Sequence, residues 1–319
     1  MSDGGFAAVF AVLGIGGLRM ISIILSVLAQ TIALVLRCVA QALFAPVCGG
    51  AAASPAPATT EVPPELAREI PIRILESTSS VERAVEKYAD YMAWRTRFRV
   101  DDALRSPQPY FDVIEAHYPR AMHRATDRDG FVVIMEKPGR VRELLDAVRA
   151  RAKALGRDDD AAEVVLSHQA FVSEYLHQVV DTREHPLGKN VKIVDLSRAS
   201  ASDFLGLEVF GFLNEYAKAQ KMASIERVHR VFIVNTPAGF AFAFNAIKPL
   251  ISEKTLKHIV VCSSIEDARR EIGKEIKLSK VPVAYGGTCD CKGRGGCFRG
   301  DANEETFRAF VRERNAQVE

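Results

Sequence analysis

Short runs rich in β-branched residues alternate with helical patterns through the middle of this 319-residue chain. The runs are FVVIME, VKIVDL, VHRVFIVN and LKHIVVC, at residues 131–136, 191–196, 228–235 and 256–262. Segments with helical periodicity lie between and after them, near residues 140–155, 161–181, 204–222 and 265–276. Strands that alternate with helices form mainly parallel sheets covered by helices. The sequence therefore predicts an α/β fold with a mainly parallel sheet.

Two more helical patterns flank this alternating region. Residues 81–98 place apolar side chains at helical spacing behind Ser79 or Ser80, either of which suits an N-cap. The tail opens with Asp301 three residues before Glu304, a capping pattern, and its apolar residues fall on one helical face. We expect a small helical domain at residues 65–105 and a C-terminal helix.

The first 60 residues differ sharply in charge from the rest of the chain. They contain only Asp3, Arg19 and Arg37 as charged residues, whereas acids and bases are nearly balanced in the remainder. Residues 20–36 are uncharged and would span about 25 Å as a helix, slightly less than the hydrocarbon core of a bilayer. The span suffices if Arg37 reaches the interface and the helix continues to Phe44.

Three interpretations of this N-terminal segment are open. A membrane anchor at residues 1–48 is favoured over a cleaved signal or targeting peptide and over a buried core helix. Residues 49–64, rich in small residues and proline, are typical of a flexible linker. The six cysteines form no regular disulfide framework. We therefore expect a membrane-anchored protein whose soluble body faces the cytosol, at an endomembrane or the plasma membrane.

The remaining charge and motif patterns argue against several functions. The net charge is +2 and the bases are dispersed, so nucleic acid is not an expected partner. No phosphate-binding loop, serine-hydrolase elbow or zinc-protease motif is present, so neither an enzyme nor a cofactor is expected. The loop GGTCDCKGRGGC at 286–297 has three thiols and no nearby histidine in sequence. A surface loop is favoured there over a zinc site or a redox role, so no metal is expected.

Residues 238–251 are almost wholly apolar and contain Pro249, with Pro237 just before them. A helix would align four apolar side chains in one stripe, at Phe240, Phe244, Ile247 and Ile251. A strand would instead alternate phenylalanine with alanine, at Phe240, Phe242 and Phe244. The periodicity alone leaves both open, with the strand slightly favoured.

Four sequence pieces resemble the CRAL-TRIO, or secretory phosphatidylinositol-transfer, family. They are TDRDGFVVIMEKPG, KIVDLSRAS, the stretch from ERVHRVFIVN to LKHIVV, and VPVAYGGTC, at residues 126–139, 192–200, 226–261 and 281–289. Each piece alone is weak, but the four occur in the family's order and spacing. The resemblance covers nearly all of residues 65–298 and assigns residues 106–289 to the lipid-binding domain, with a loop and a helix at 290–319.

This resemblance implies a lipid cavity between the sheet and a mobile gate helix. It favours the helix for residues 238–251, with Phe240, Phe242, Phe244, Ile247 and Ile251 as gate residues. The chemistry is plausible because each methylene kept from water contributes roughly 0.8 kcal/mol. An apolar lining and an apolar gate can therefore hold the tails of one phospholipid without any covalent step.

The resemblance also implies a headgroup site. The family reads phosphatidylinositol with a glutamate, a threonine and a lysine, which fall on Glu226, Thr255 and His258. The arginine of the family's N-terminal Leu-Arg-Phe-Leu stretch falls on Arg73, which we add to the predicted headgroup residues. The lysine is thus a histidine here, which is charged only below about pH 6.5 when unperturbed. Members that read phosphatidylcholine have Ser, Thr and Tyr where this chain has Asn190, Lys192 and Ile134. The resemblance therefore favours phosphatidylinositol over phosphatidylcholine.

We predict a membrane-tethered protein that binds one phospholipid and transfers it, or presents it to a lipid-modifying enzyme at a membrane surface. Two alternatives are open: a binding module for another hydrophobic ligand, and a membrane signalling adaptor without transfer activity. Headgroup dependence separates the first alternative from the prediction, and a filled cavity would favour the second.

Overall fold

The computed structural model describes most of the chain after the N-terminal segment. The described residues are 69–199, 207–237, 240, 244–245, 253–291, 296–299 and 301–317. The predicted anchor and linker lie outside them, as do Phe242, Ile247, Ile251 and the side chain of Thr255. Among the described helices, none combines the length and apolarity needed to cross a bilayer.

Helices and strands alternate as the sequence predicts. The helices are α1 (Ile72–Leu75), α2 (Val81–Arg97), α3 (Phe111–His117), α4 (Val141–Ala154), α5 (Ala161–Tyr175), α6 (Leu207–Ala223), α7 (Glu253–Leu256), α8 (Ile265–Glu275) and α9 (Ala302–Ala316). A π-helical turn at Leu176–Val180 extends α5. The strands are β1 (Arg120–Thr126), β2 (Val132–Glu136), β3 (Asn190–Asp195), β4 (Val228–Val234) and β5 (Ile259–Val261).

The strands form one five-stranded sheet in the order β1-β2-β3-β4-β5. The β1–β2 pair is antiparallel, and the other three neighbouring pairs are parallel. The predicted α/β fold with a mainly parallel sheet is therefore confirmed. Strand β1 was not predicted, because RAMHRAT is polar and lacks a clear two-residue alternation.

Each strand sends alternate side chains to opposite sides of the sheet, and the two sides have different coverings. One side, here called the α8 face, is apolar and packs on α8 and on Tyr285; its residues include Val133, Met135, Val191, Ile193, Phe232 and Val234. The other, the α5 face, packs partly on α5; its residues include Ile134, Glu136, Lys192, Val194, Val231 and Ile233.

Local sequence signals fix several helix ends. Ser80 Oγ accepts a hydrogen bond from the Arg83 amide, so the predicted N-cap of α2 is confirmed. Asp301 caps α9 by accepting from the Asn303 amide at 3.0 Å. The cap places Phe307 and Val311 of α9 in the core beside α5.

The carboxyl end of β3 is held by Asp195, in the Asp-Leu pair of the predicted strand end. Its Oδ1 accepts from the Ser197 amide at 2.9 Å and from Asn235 Nδ2 at 3.1 Å. Its Oδ2 accepts from Tyr285 Oη at 3.2 Å and lies 3.1 Å from Lys137 Nζ. Asp195 therefore connects the ends of β2, β3 and β4 to the segment at residues 281–289, which contains Tyr285.

Candidate functional site

Three charged residues meet in the interior on the α5 face. Lys192 Nζ donates to Glu136 Oε1 at 3.2 Å, and Arg120 Nε lies 3.5 Å from the same oxygen. Tyr118 Oη donates to Glu136 Oε2 at 3.1 Å. Burial alone would raise the pKa of Glu136, but the positive charges of Lys192 and Arg120 outweigh it and lower that pKa. Two buried cations therefore share one carboxylate.

Neutral polar groups extend this network. Tyr118 and Tyr216 share a hydrogen bond of 3.0 Å between their hydroxyl groups. Gln220 Nε2 donates to Tyr216 Oη and to Gln169 Oε1, both at 3.2 Å. Burial raises the pKa of Tyr118 well above its usual value, so this residue stays a neutral donor and acceptor. The network fixes the two cations in position.

A small polar cavity of about 30 Å³ opens beside this network. Its lining residues are Arg120, Ile134, Glu136, Gln169, Val172, Ser173, Leu176, His177, Asn190, Lys192, Gln220 and Ser224. The volume suffices for a water molecule but is far smaller than a lipid. Ile134, Asn190 and Lys192 all line it, so the positions that the resemblance assigns to phosphatidylcholine recognition do share one site.

His177 is buried within electrostatic reach of three basic residues. Burial lowers its pKa well below the usual value, and the charges of Arg227, Arg73 and Lys192 lower it further. Burial likewise lowers the pKa of Arg227 to about 10, with Arg73 as the next cause. Cations that raise one another's electrostatic energy in this way are expected to attract an anion. We refer to Arg73, Lys192 and Arg227, together with the neutral His177 on which they act, as the cationic cluster.

Two acids that act on Arg227 are also paired with other arginines. Glu174 and Asp181 both act on Arg227 electrostatically. However, Glu174 lies 3.3 Å from Arg95 Nη1 and Asp181 lies 2.8 Å from Arg183 Nε. Their charges are thus largely compensated by other arginines. The charges of Arg73 and Arg227 therefore act on His177, which lines the cavity, with only partial compensation from these acids.

The predicted headgroup residues are only partly brought together. Arg73 donates to Tyr91 Oη at 2.7 Å, and its guanidinium lies over the Tyr91 ring at 4.9 Å. The positive charge of Arg73 helps to lower the pKa of Arg227, the residue directly after Glu226. Glu226 is half-buried in the turn before β4 and has a φ of 53°. Non-glycine residues in this left-handed region are uncommon and occur frequently at functional sites.

The other two predicted headgroup residues give less information. His258 is half-buried before β5, and its Nδ1 donates to the His229 carbonyl at 2.7 Å. This hydrogen bond leaves Nε2 as the ring nitrogen that faces away from His229. Thr255 belongs to α7, but its side chain lies outside the described part of the structure. Their roles at the headgroup stay predictions.

An apolar wall continues from the polar cavity along the α5 face. Val194, Val231 and Ile233 are buried there, and Phe240 and Phe244 pack against this cluster. The two phenylalanine rings stack with centroids 6.2 Å apart. Phe240, Phe244 and Asn245 have helical backbone. The site thus combines a cationic end with an apolar wall, which is the arrangement that an amphipathic ligand requires.

A larger groove of about 410 Å³ lies between α2 and α6. Two of its basic side chains are in ion pairs with one acid: Glu215 lies 3.2 Å from Arg97 and 2.7 Å from Lys218. Asp127, which lies near Asp129 and His229, is likewise occupied by a turn: its Oδ1 accepts the amides of Asp129 and Phe131. Neither place offers the positive potential of the cationic cluster.

Residues 118–287 match the CRAL/TRIO domain family, and this match covers more than half of the chain. The protein therefore belongs to the CRAL/TRIO domain family, and the resemblance seen in the sequence is confirmed.

Three proteins similar to this chain are named as transfer proteins or cytosolic factors. The phosphatidylinositol/phosphatidylcholine transfer protein SFH11 of Arabidopsis thaliana is 25% identical over 224 residues, which cover 69% of this chain and 57% of that protein. The Sec14 cytosolic factor of Schizosaccharomyces pombe is 26% identical over 234 residues, covering 70% of this chain and 74% of that factor. A second Arabidopsis transfer protein, SFH7, is matched over only 39% of its length.

Sequence reasoning missed Arg227 and His177. Arg227 had a weak signal, since it is the base adjacent to the predicted headgroup residue Glu226. His177 had none, because it lies in the π-helical turn after α5 and approaches Arg73 and Arg227 only through the tertiary fold.

Proposed function

We propose that this protein binds one anionic phospholipid, with phosphatidylinositol the first candidate, and transfers or presents it at a membrane. The supporting observation is the cationic cluster at one end of the apolar wall formed by Val194, Val231 and Ile233. A phosphate at Arg73 and Arg227 would offset their mutual repulsion, and charge-assisted hydrogen bonds to phosphate are strong. The names of the SFH11 and SFH7 relatives include phosphatidylinositol, which supports this candidate, and also phosphatidylcholine, which is zwitterionic.

The acyl chains would occupy the apolar wall beneath the segment at residues 238–251. Phe240 and Phe244 contact that wall while being only half-buried. A segment of this kind can move away from the sheet at a bilayer, because the bilayer interior replaces the apolar contacts that the segment loses. We propose that it acts as the gate, with Phe242, Ile247 and Ile251 completing its apolar surface.

Residues 1–48 would tether the lipid-binding body to the membrane, with the body in the cytosol. The uncharged run at residues 20–36 supports the anchor, and the linker at 49–64 gives the body some reach. A tethered carrier serves exchange across a short gap or delivery to a lipid-modifying enzyme. Flotation of the full chain with liposomes, compared with a chain lacking residues 1–48, tests the tether.

The lipid assignment is tested by loading. The full chain, purified in mild detergent, is incubated with liposomes of mixed phospholipids, re-isolated and extracted for mass spectrometry. We expect one phospholipid per chain, enriched in phosphatidylinositol. Arg227→Gln should reduce this loading about tenfold, whereas Arg270→Gln, an exposed control on α8, should leave it unchanged.

The alternatives give different results in the same experiment. A binding module for another hydrophobic ligand would return that ligand, and Arg227→Gln would not change its loading. An adaptor without transfer activity would return no lipid at all. Either result would refute the proposed phospholipid carrier.

A further inference from the structure

Three cysteines and one histidine converge on the α8 side of the sheet. The ligand atoms of His123, Cys289, Cys291 and Cys297 all lie within 4.8 Å of one another. Cys289 Sγ is 3.8 Å from Cys291 Sγ, 3.8 Å from Cys297 Sγ and 3.8 Å from His123 Nε2. His123 is 166 residues away from Cys289 along the chain, which is why sequence spacing alone favoured a surface loop.

Strand β1 holds His123 in a buried position. His123 lies on β1 opposite Val133, on the same side of the sheet as Ala121, and only 2% of its surface is exposed. The register of the β1–β2 pair shifts directly after His123. A register shift of this kind bends the strand and re-aims nearby side chains. The imidazole therefore points out of the sheet toward the cysteine loop.

Backbone hydrogen bonds and close packing hold the start of the cysteine loop, at Gly287 and Cys289. The Cys289 amide donates to the Val281 carbonyl at 2.9 Å, and the Cys289 carbonyl accepts from the Val283 amide at 3.0 Å. A Cβ atom at Gly287 would lie 2.0 Å from the Val281 carbonyl oxygen, so only glycine allows this approach. Cys297 is itself buried. The backbone at Cys289 is thus held in place beside Val281 and Val283.

These distances match a tetrahedral zinc centre. With Zn–S bonds of about 2.3 Å and a Zn–N bond of about 2.0–2.1 Å, the edges of the tetrahedron are about 3.8 Å between sulfurs and about 3.6 Å from sulfur to nitrogen. Thiolate and imidazole ligands favour zinc, whereas magnesium and calcium favour oxygen ligands. We propose that His123, Cys289, Cys291 and Cys297 form a Cys₃His zinc site.

The site would be structural. Four protein ligands leave no open position for water or substrate, which is the mark of a structural zinc site. The ion would join β1, at the edge of the sheet, to the cysteine loop that follows Gly287. The buried carboxylate of Asp301, at the start of α9, lies 3.6 Å from His123 Nε2 and would add negative charge beside the cation.

A disulfide explains the cluster less well. It would join two of the three cysteines and leave the third with no role, and it would make no use of the imidazole at the fourth corner. The described cysteines, Cys262 among them, are all free thiols in the structure. The convergence of three thiols and an imidazole on one point favours a metal over a redox pair.

Metal analysis of the full chain tests the site. The protein is expressed in zinc-supplemented medium, purified in detergent without chelator, and measured by inductively coupled plasma mass spectrometry. We expect about one zinc per chain. Cys297→Ser and His123→Ala should lower this at least tenfold, as should Cys291→Ser, a milder change at a half-buried position. Cys262→Ala, a buried cysteine outside the cluster, should keep the zinc.

A second measurement guards against loss of folding in the variants. Cobalt added to the metal-free wild-type chain should produce the intense visible bands of tetrahedral coordination and the near-ultraviolet bands of thiolate ligation. Wild-type protein without zinc, or a disulfide found among the three cysteines by mass spectrometry, would overturn the proposal. So would zinc that persists in both His123→Ala and Cys289→Ser. Lipid loading is measured separately and does not affect this outcome.

Discussion

The two faces of the sheet are built on different principles. The α8 face is mainly apolar and packs on Ile272 and Tyr285, both almost fully buried. Its polar side chains include His123 on the edge strand β1 and Asp195 at the carboxyl end of β3. The α5 face combines the apolar wall with the buried charges of Arg120, Glu136 and Lys192. Buried charges are expensive unless they are paired, so their concentration on one face argues for a role other than stability. The comparison agrees with a structural role for the α8 face and with the ligand binding proposed for the α5 face.

The largest expected effect separates the two faces with one kind of substitution. Phe232→Ala, on the α8 face at 1% exposure, should reduce the free energy of unfolding by about 3–5 kcal/mol. Phe240→Ala, on the segment over the α5 face, should cost about 1 kcal/mol, because that ring is only half-buried. Urea unfolding of both variants measures the difference. Equal costs would show that the segment at 238–251 is ordinary core.

The two faces also differ in how much of their structure the sequence predicts. The strands of the α8 face were predicted because Val133, Met135, Val191 and Ile193 belong to short β-rich runs. The caps at Ser80 and Asp301 were also predictable, since capping depends on neighbours within three residues.

The site could be predicted only where a family pattern marked it. Arg73 and Glu226 were identified that way, but the convergence of Arg227 and His177 depends on contacts across the fold. The same holds for His123, which no local spacing connects to Cys289. Strand β1 was missed for a related reason: Arg120 and His123 are polar residues that only tertiary partners keep buried.

A second, smaller effect tests the charge balance of the α5 face. Glu136→Gln leaves Arg120 and Lys192 buried without their shared carboxylate, and we expect a loss of about 3 kcal/mol in unfolding free energy. Lys192→Met should cost about 1 kcal/mol or less, because Arg120 still balances Glu136. Adding Lys192→Met to Glu136→Gln should therefore recover stability. Thermal or urea unfolding of the three variants measures this, and an additive double variant would contradict the shared-carboxylate arrangement.

The smallest expected effect is a pH dependence of stability that comes from a second buried carboxylate. Glu304 of α9 is fully buried, and burial, followed by the charge of Glu115, raises its pKa to about 8. A raised pKa means that the folded state holds the proton more tightly than the unfolded state, whose value is near 4.5. The stabilisation is complete below pH 4.5 and is lost as the pH rises toward 8. Glu136 behaves in the opposite way, since its lowered pKa contributes stability that disappears in acid.

Glu304→Gln isolates this contribution because glutamine resembles the protonated carboxyl group. Between pH 6 and 7 the wild type should lose about 1.4 kcal/mol of stability relative to the variant for each pH unit. Glu313→Gln, an exposed change later in α9, serves as the matched control and should follow the wild type. Urea midpoints at several pH values give the two slopes. If the Glu304→Gln curve runs parallel to the wild type, the cations near Glu304, Arg308 above all, keep this carboxylate ionised despite its burial.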